Sequence, residues 1–385
     1  MSDLFLLEPS DSGAWAPFAG VRPVAELRAG AWLLRERWEA ALGLRASGIL
    51  SDTLLGFVDV DSPSIVPGSS VAGPAIVVRS DVVPPRAAVS FTTRRLVASG
   101  RTIAWRLDRG EKWEGGDDRG DATEVNAHVL PGAWGLVDAL ERFLPSDCLE
   151  FTAAPADPVP PGSIVIGDSS RVVCLDATVE PGAVFDTRKG AVVLTEGVEV
   201  RSGTRLEGPL FAGPGTFLLG GQIRHSSFGP QCRVHGEMAT TVMIGYGNKG
   251  HDGFVGHSVI GCWTNLGAGT ITSNLKNTYG TVRLEGGAER RDTGRTFLGS
   301  LIADHAKTAI GTLLSTGTII GAGASVTGSP VPRAVPPFAW GSDGLGRLDE
   351  DAFVRIAGRV LPRRNVELTS GREAWLRSLH ARMVR

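Results

Sequence analysis

Val255-Gly256, Ile260-Gly261 and Leu266-Gly267 recur five and six residues apart (255 to 260, then 260 to 266). That period is too long for the alternation of one strand or the turn of one helix. It matches a hexapeptide β-helix, in which short strands alternate with tight corners. In such a coil an aliphatic residue opens each hexad facing inward, and a small residue four places later also faces inward. Ile260 then pairs with Thr264 and Leu266 with Thr270, and Cys232 falls at another inward position. Intervening glycines permit corners that a Cβ would obstruct. His251, Asn265 and Asn274 are left outside, where their chemistry is available to a ligand. A purely structural coil needs neither a histidine nor two amides there.

The repeat sets limits on the rest of the chain. Hexads begin loosely at Ile164 and become regular after Ile244. They break at the polar segment Gly280 to Arg295, resume at Leu298-Gly299, Ile310-Gly311 and Ile320-Gly321, and end at SPVPRAVPPF. Prolines between Pro155 and Gly162 mark a linker. Ahead of it the pattern changes. Apolar runs at Leu4 to Leu7, Leu54 to Val60, Ala75 to Val78 and Thr102 to Leu107 predict strands, and the spacing over Ala29 to Leu42 and Ala133 to Phe143 predicts helices. Gly110 to Asp121 is charged and Gly-rich and reads as a mobile surface loop. After the repeat, helices are expected over Leu348 to Leu361 and Arg372 to Val384, with Ser370 and Glu373 spaced as a capping box. The expected organisation is an α/β domain over 1–154, a solenoid over 163–330, and a C-terminal arm with helices over 331–385.

Composition narrows the function classes. With 51 glycines and 42 % hydrophobic residues, the chain is glycine-rich yet apolar, which suits a β-solenoid and argues against disorder. A net charge of -2 gives no reason to expect a nucleic acid or an anionic membrane as partner. Cys148, Cys174, Cys232 and Cys262 are scattered with no C-x-x-C pair, so neither a zinc ribbon nor a disulfide framework is indicated. No apolar run approaches the ~18 residues of a membrane span. A cytoplasmic protein is the expectation.

The hexads, GHDGFVGHSVIG and NLGAGTITSN together resemble the bifunctional N-acetylglucosamine-1-phosphate uridylyltransferase / glucosamine-1-phosphate N-acetyltransferase family. The likeness is to a shorter bacterial branch that keeps N-K-x-H-D-G-F and L-K-N-x-Y-G. It is densest over 225–325 and present again over 15–40. It implies an α/β nucleotidyltransferase-like N-terminal domain, a left-handed parallel β-helix (hexapeptide repeat) and C-terminal helices. His251 stands where the family has its acetyltransferase base, and Glu237 where a glutamate supports that histidine. Asn265 and Asn274 match amides that contact the amino sugar, Phe254 replaces a family tyrosine, and Arg224 matches a phosphate-binding arginine. Lys249 and Lys276 join this substrate-binding set, with Lys276 or Lys307 as the substitute for a family lysine. Leu275 departs from a family tyrosine. Ala268, Ser300 and Ala322 fall where members touch the coenzyme A arm, largely through backbone atoms.

In the N-terminal half, FAGVRPVAELRAG stands in place of the family's Gly-rich G-T-R-M loop and following P-K. The resemblance makes Arg22 a phosphate contact and Arg28 the counterpart of the lysine, with Asp59 and Asp61 as metal-binding carboxylates. It implies acetyl-CoA as co-substrate, Mg²⁺ for nucleotidyl transfer, and a sugar phosphate and nucleotide as small-molecule partners. It also implies a homotrimer in which Gly280 to Arg295 completes a neighbour's site and Trp263 packs against another subunit.

The chemistry agrees with the assignment. An amine must lose a proton to attack a thioester, and an imidazole, with an ordinary pKa near ~6.5, is suited to accept it. Two other readings compete. One is a non-catalytic sugar-nucleotide-binding scaffold. The other is a zinc-dependent, carbonic-anhydrase-like hydratase using His251 and His257, which stand six apart where that site's usual pair stands five apart.

Overall fold

The computed structural model describes residues 2–286, 290–328, 330–341 and 346–384. Strand β1 (Asp3–Leu7) begins a mixed sheet with β2 (Ala46–Leu50), β3 (Ile65–Val66), β4 (Ala75–Arg79), β5 (Arg95–Ala98), β6 (Arg101–Leu107) and β7 (Ala122–Glu124). Their order is β7-β5-β6-β4-β1-β2-β3. The parallel pairs β1·β2, β1·β4 and β2·β3 form one half, and β6 runs antiparallel to β4 and β5. Loops that leave the C-terminal ends of parallel strands are where such sheets place their chemistry. Here those ends carry Glu8 and Ser80-Asp81.

Two local expectations are corrected. Helix α1 spans Leu34–Leu42, and the residues before it form a small antiparallel ribbon, Arg28–Ala29 against Trp32–Leu33. Gly30, at φ 68°, makes that turn. A Cβ there would lie 2.2 Å from Asp147 Oδ2. Asp147 itself sits on α2 (Gly135–Phe151), accepts the Ala31 N–H at 2.9 Å and pairs with buried Arg37. Leu54 to Val60 contains no strand, because this apolar run receives the end of the chain: Phe57 meets Trp375 edge-on at 5.2 Å.

A parallel β-solenoid follows, from Ile164–Ile166 to Ala339–Gly341. Each short strand pairs in parallel with its equivalent on the next coil, as in Val242–Met243 with Val259–Ile260, and those in turn with Leu301–Ile302. Its interior is filled by Ile223, Cys232, Val234, Met243, Ile260, Leu266 and Ile302, all at 0 % exposure. Thr264 and Thr270 also face inward. The Thr264 hydroxyl donates to the Gly261 carbonyl at 3.2 Å, and the Thr270 hydroxyl meets that of Thr308 at 2.8 Å. These bonds satisfy polar groups that burial would otherwise penalise.

The break in the repeat folds back on the N-terminal domain of the same chain. Arg283–Leu284 pairs antiparallel with Arg291–Asp292; residues 287–289 of this segment lie outside the described residues. Arg291 pairs with Asp11 at 2.9 Å, and Arg295 pairs with Asp138 and Glu141 of α2. Helices α3 (Glu350–Val360) and α4 (Ser370–Met383) then return over the junction. The N-cap of α4 is Thr369, one residue ahead of the expected Ser370, with its hydroxyl accepting the Arg372 N–H at 3.3 Å. Trp263, expected against another subunit, is instead buried within the chain. It stacks on Tyr246 at 4.4 Å and on His305 at 6.4 Å, because the C-terminal helices cover that face.

Candidate functional site

The corner that carries His251 is longer than the one before it. Between Arg233–Val234 and Glu237–Ala239 only residues 235 and 236 turn the chain, whereas 250–253 lie between Asn248–Lys249 and Phe254–Gly256. The extra residues push the corner outward. His251 and Asp252 are both exposed, and the His251 imidazole makes no hydrogen bond or ion pair among the described residues. The backbone beneath it is held from two sides. Asp252 accepts the Gly269 N–H at 2.8 Å through its carbonyl, and its carboxylate lies 3.2 Å from His235 Nδ1.

That first bond places His251 on the coil next to the NLGAG turn. Ala268 lies in this turn, and its carbonyl accepts the Gly311 N–H at 2.7 Å. Asn265 is exposed on the strand leading into it, its Oδ1 accepting from Asn248 Nδ2 at 2.7 Å. Lys249 is fully buried, with its ammonium turned onto the carbonyls of His251 and Asp252.

Beyond the corner, Glu237 pairs in register with Phe254 across adjacent coils. Its carboxylate holds Arg224 at 2.8 Å and not the histidine. Phe254 and Asn274 converge over Gly256, where a Cβ would lie 2.5 Å from the ring and 2.7 Å from the amide nitrogen. The Asn274 amide meets His257 Nδ1 at 2.8 Å, and His257 stacks on Phe297 at 5.3 Å with Nε2 3.9 Å from Glu141. Burial, helped by His225 and Arg224, lowers the His257 imidazole to about 4. It is therefore a neutral ring at ordinary pH, and the Asn274 amide N–H can donate to Nδ1 while its carbonyl stays available. Lys276 is turned onto the Thr281 carbonyl of its own loop. Ser300 and Ala322 are fully buried, and their carbonyls accept from Val259 at 3.0 Å and Phe338 at 2.8 Å.

The nucleotide-side residues have a different setting. Arg22 is 4 % exposed and lies between Asp59 and the solenoid's Asp304, the latter at 2.9 Å. Burial opposes its charge, but Asp304 and Asp59 outweigh it and hold the guanidinium above its ordinary range. Arg28 is buried over the Phe211 ring at 5.7 Å, with one nitrogen on the Ala31 carbonyl; here burial lowers the guanidinium. Both arginines thus connect the N-terminal loop to the solenoid.

Asp59 is already neutralised by Arg22, and the Asp61 carbonyl accepts from Arg35 at 3.4 Å. A divalent cation there would face two guanidinium groups, so these residues do not fit Mg²⁺. Among the described residues no group of three or more His, Cys, Asp or Glu is placed to hold a metal ion. No described helix is long and apolar enough to cross a membrane.

Sequence reasoning missed Asp304, which also caps the Cys262 N–H at 2.9 Å, and the Glu8/Asp81 pair at the strand ends. Glu8 accepts the Val24 N–H at 2.8 Å, and burial raises its carboxyl to about 8. The signal for Asp81 was present in the sequence: a carboxylate three residues after the apolar AIVV run, just past a strand's C-terminal end.

Two comparisons bear on these sites. Residues 4–152 match the family model for sugar nucleotidyl transferase. The chain is 32 % identical over 154 residues to the bifunctional sugar-1-phosphate nucleotidylyltransferase/acetyltransferase of Sulfurisphaera tokodaii, an alignment spanning 38 % of this chain and 38 % of that relative. The chain therefore joins an N-terminal sugar nucleotidyl transferase-like domain to a parallel β-solenoid and is similar, over part of its length, to a bifunctional nucleotidylyltransferase/acetyltransferase.

Proposed function

We propose that the chain is an acetyl-CoA-dependent N-acetyltransferase acting on an amino-sugar phosphate of the glucosamine 1-phosphate kind, with its chemistry at the His251 corner. The observation that carries this reading is an exposed, unpaired imidazole one coil away from the NLGAG turn, joined to it by the bond between the Gly269 N–H and the Asp252 carbonyl. The amine nitrogen attacks the thioester carbonyl carbon, His251 accepts the amine proton, the carbon–sulfur bond breaks, and the departing thiolate takes that proton from His251 so that coenzyme A leaves as the thiol. Arg224 exchanges Glu237 for the substrate phosphate, and Asn265 and Asn274 supply amides to the sugar. The coenzyme arm lies along the Ala268 side of the corner.

A second copy of the chain completes the site as part of a homotrimer. Ile271, Ile310 and Leu313 are 42 %, 80 % and 52 % exposed, and Ile271 and Leu313 are partners on adjacent coils beside the NLGAG turn. An apolar patch of this kind marks an association surface. Sugar-1-phosphate nucleotidylyl transfer, leading to UDP-N-acetylglucosamine, belongs to the N-terminal domain, where docked Arg22 and Arg28 make turnover weak or absent.

An acceptor screen tests the reading, with acetyl-CoA, a panel of amino-sugar phosphates and detection of the released thiol. Thiol release that depends on a glucosamine 1-phosphate-like acceptor supports it; release with no member of the panel contradicts it. Light scattering at micromolar concentration should give the mass of three chains, and a monomer there contradicts the assembly.

A further inference from the structure

Lys249 is an ammonium inside a hydrophobic coil. It is 0 % exposed and stacks in register on Val234 of the coil before, so its neighbours along the axis are apolar. The side chain runs inward from the strand Asn248–Lys249 and then toward the following corner, where Nζ donates to the carbonyl of His251 and, at 3.0 Å, to that of Asp252. Asp252's own carboxylate is exposed and faces His235; its charge favours the ammonium without touching it, and backbone carbonyls make the direct contacts. Burial lowers the ammonium to about 8, which shows how unfavourable the location is for a charge. An aliphatic residue would fill the space, but it would leave the two carbonyls without this donor.

We infer that Lys249 is a positioning residue for His251: its ammonium draws the 251 and 252 carbonyls inward and thereby fixes the corner with the imidazole projecting beside the NLGAG turn. This rests on the reading of His251 as the base. A lysine enclosed in this way cannot also reach a substrate phosphate, so its substitution should affect turnover and leave binding intact.

The test is Lys249→Met, which keeps the stem and removes the donors. A misplacement of about 1 Å can cost on the order of 10²-fold, so kcat should fall roughly 10- to 100-fold while KM for acetyl-CoA and for the acceptor stays within about threefold. Amide exchange at Gly269 and Glu237, whose N–H groups donate to the Asp252 and Gly253 carbonyls of this corner, should accelerate about tenfold with the remaining coils protected. Lys249→Arg keeps a charged donor on a longer stem, displaces the same corner and should show the same separation of kcat from KM, which covers a failure of the Met variant to fold. Unchanged kcat with unchanged exchange overturns the proposal. A raised acceptor KM at constant kcat also overturns it, because Lys249 would then be a substrate ligand. If the wild-type protein transfers no acetyl group, the His251 reading falls by itself, and exchange decides this one: protection lost in Lys249→Met upholds the positioning role, and protection retained overturns it.

Discussion

The nucleotide-side loop and the solenoid corner treat their basic side chains in opposite ways. Arg22 is enclosed between carboxylates from two domains, and Arg28 is inserted over a solenoid aromatic ring. His251 stands exposed and unpaired, with the polar contacts made by the backbone underneath it. A side chain whose donors are satisfied inside the fold stabilises the fold, whereas one held out by its backbone is free to act on a ligand. The N-terminal loop has been recruited as a clamp between domains, and the solenoid corner has kept an open face.

The largest effect expected from this contrast is on stability. Arg22→Ala leaves Asp59 and Asp304 facing each other without a cation, and removing one partner of a buried pair costs about 3–5 kcal/mol. Denaturant unfolding measures it. A variant of unchanged stability that instead lost pyrophosphate release from UTP and N-acetylglucosamine 1-phosphate would reverse the comparison.

A smaller effect separates the domains by pH. The His257 imidazole is lowered to about 4 in the folded chain, below its ordinary value near ~6.5. Between those values the unfolded chain binds a proton that the folded chain refuses, so stability falls as pH drops through this window, by about 3 kcal/mol. His257→Gln should flatten that part of the profile relative to wild type; residual slope from His225 and His305, both also lowered by burial, remains in both proteins. Equal slopes for the two would mean that His257 is not held neutral at the junction.

The smallest effect is at Arg28. Among the described residues it makes no ion pair with a carboxylate, and burial disfavours its charge more than the nearby Glu36 favours it. Arg28→Met should therefore change stability by less than about 1 kcal/mol, since an apolar side chain can replace a buried charge at little cost. A loss as large as that of Arg22→Ala would show that the contact over Phe211 matters more than the geometry implies.

The solenoid was legible because its period is local: the residues that point inward, such as Thr264, Thr270 and Cys232, follow from spacing alone. His251's exposure followed from the same pattern. The environment of Arg22 did not, because its partner Asp304 is 282 residues away. Trp263 was misplaced for the same reason, as the helices that cover it begin far along the chain. Lys249 read as a functional surface residue because composition cannot show which way a side chain turns at a corner. The run Leu54 to Val60 has the composition of a strand, yet it serves as a surface for Trp375, which only the tertiary fold reveals.

The central claim is that the open corner does the chemistry, and acetyl transfer by His251→Ala tests it most directly. General bases contribute about 10² to 10⁴ in rate, so thiol release on the best acceptor should fall by that factor while acetyl-CoA still binds. Wild-type turnover in His251→Ala would contradict the account.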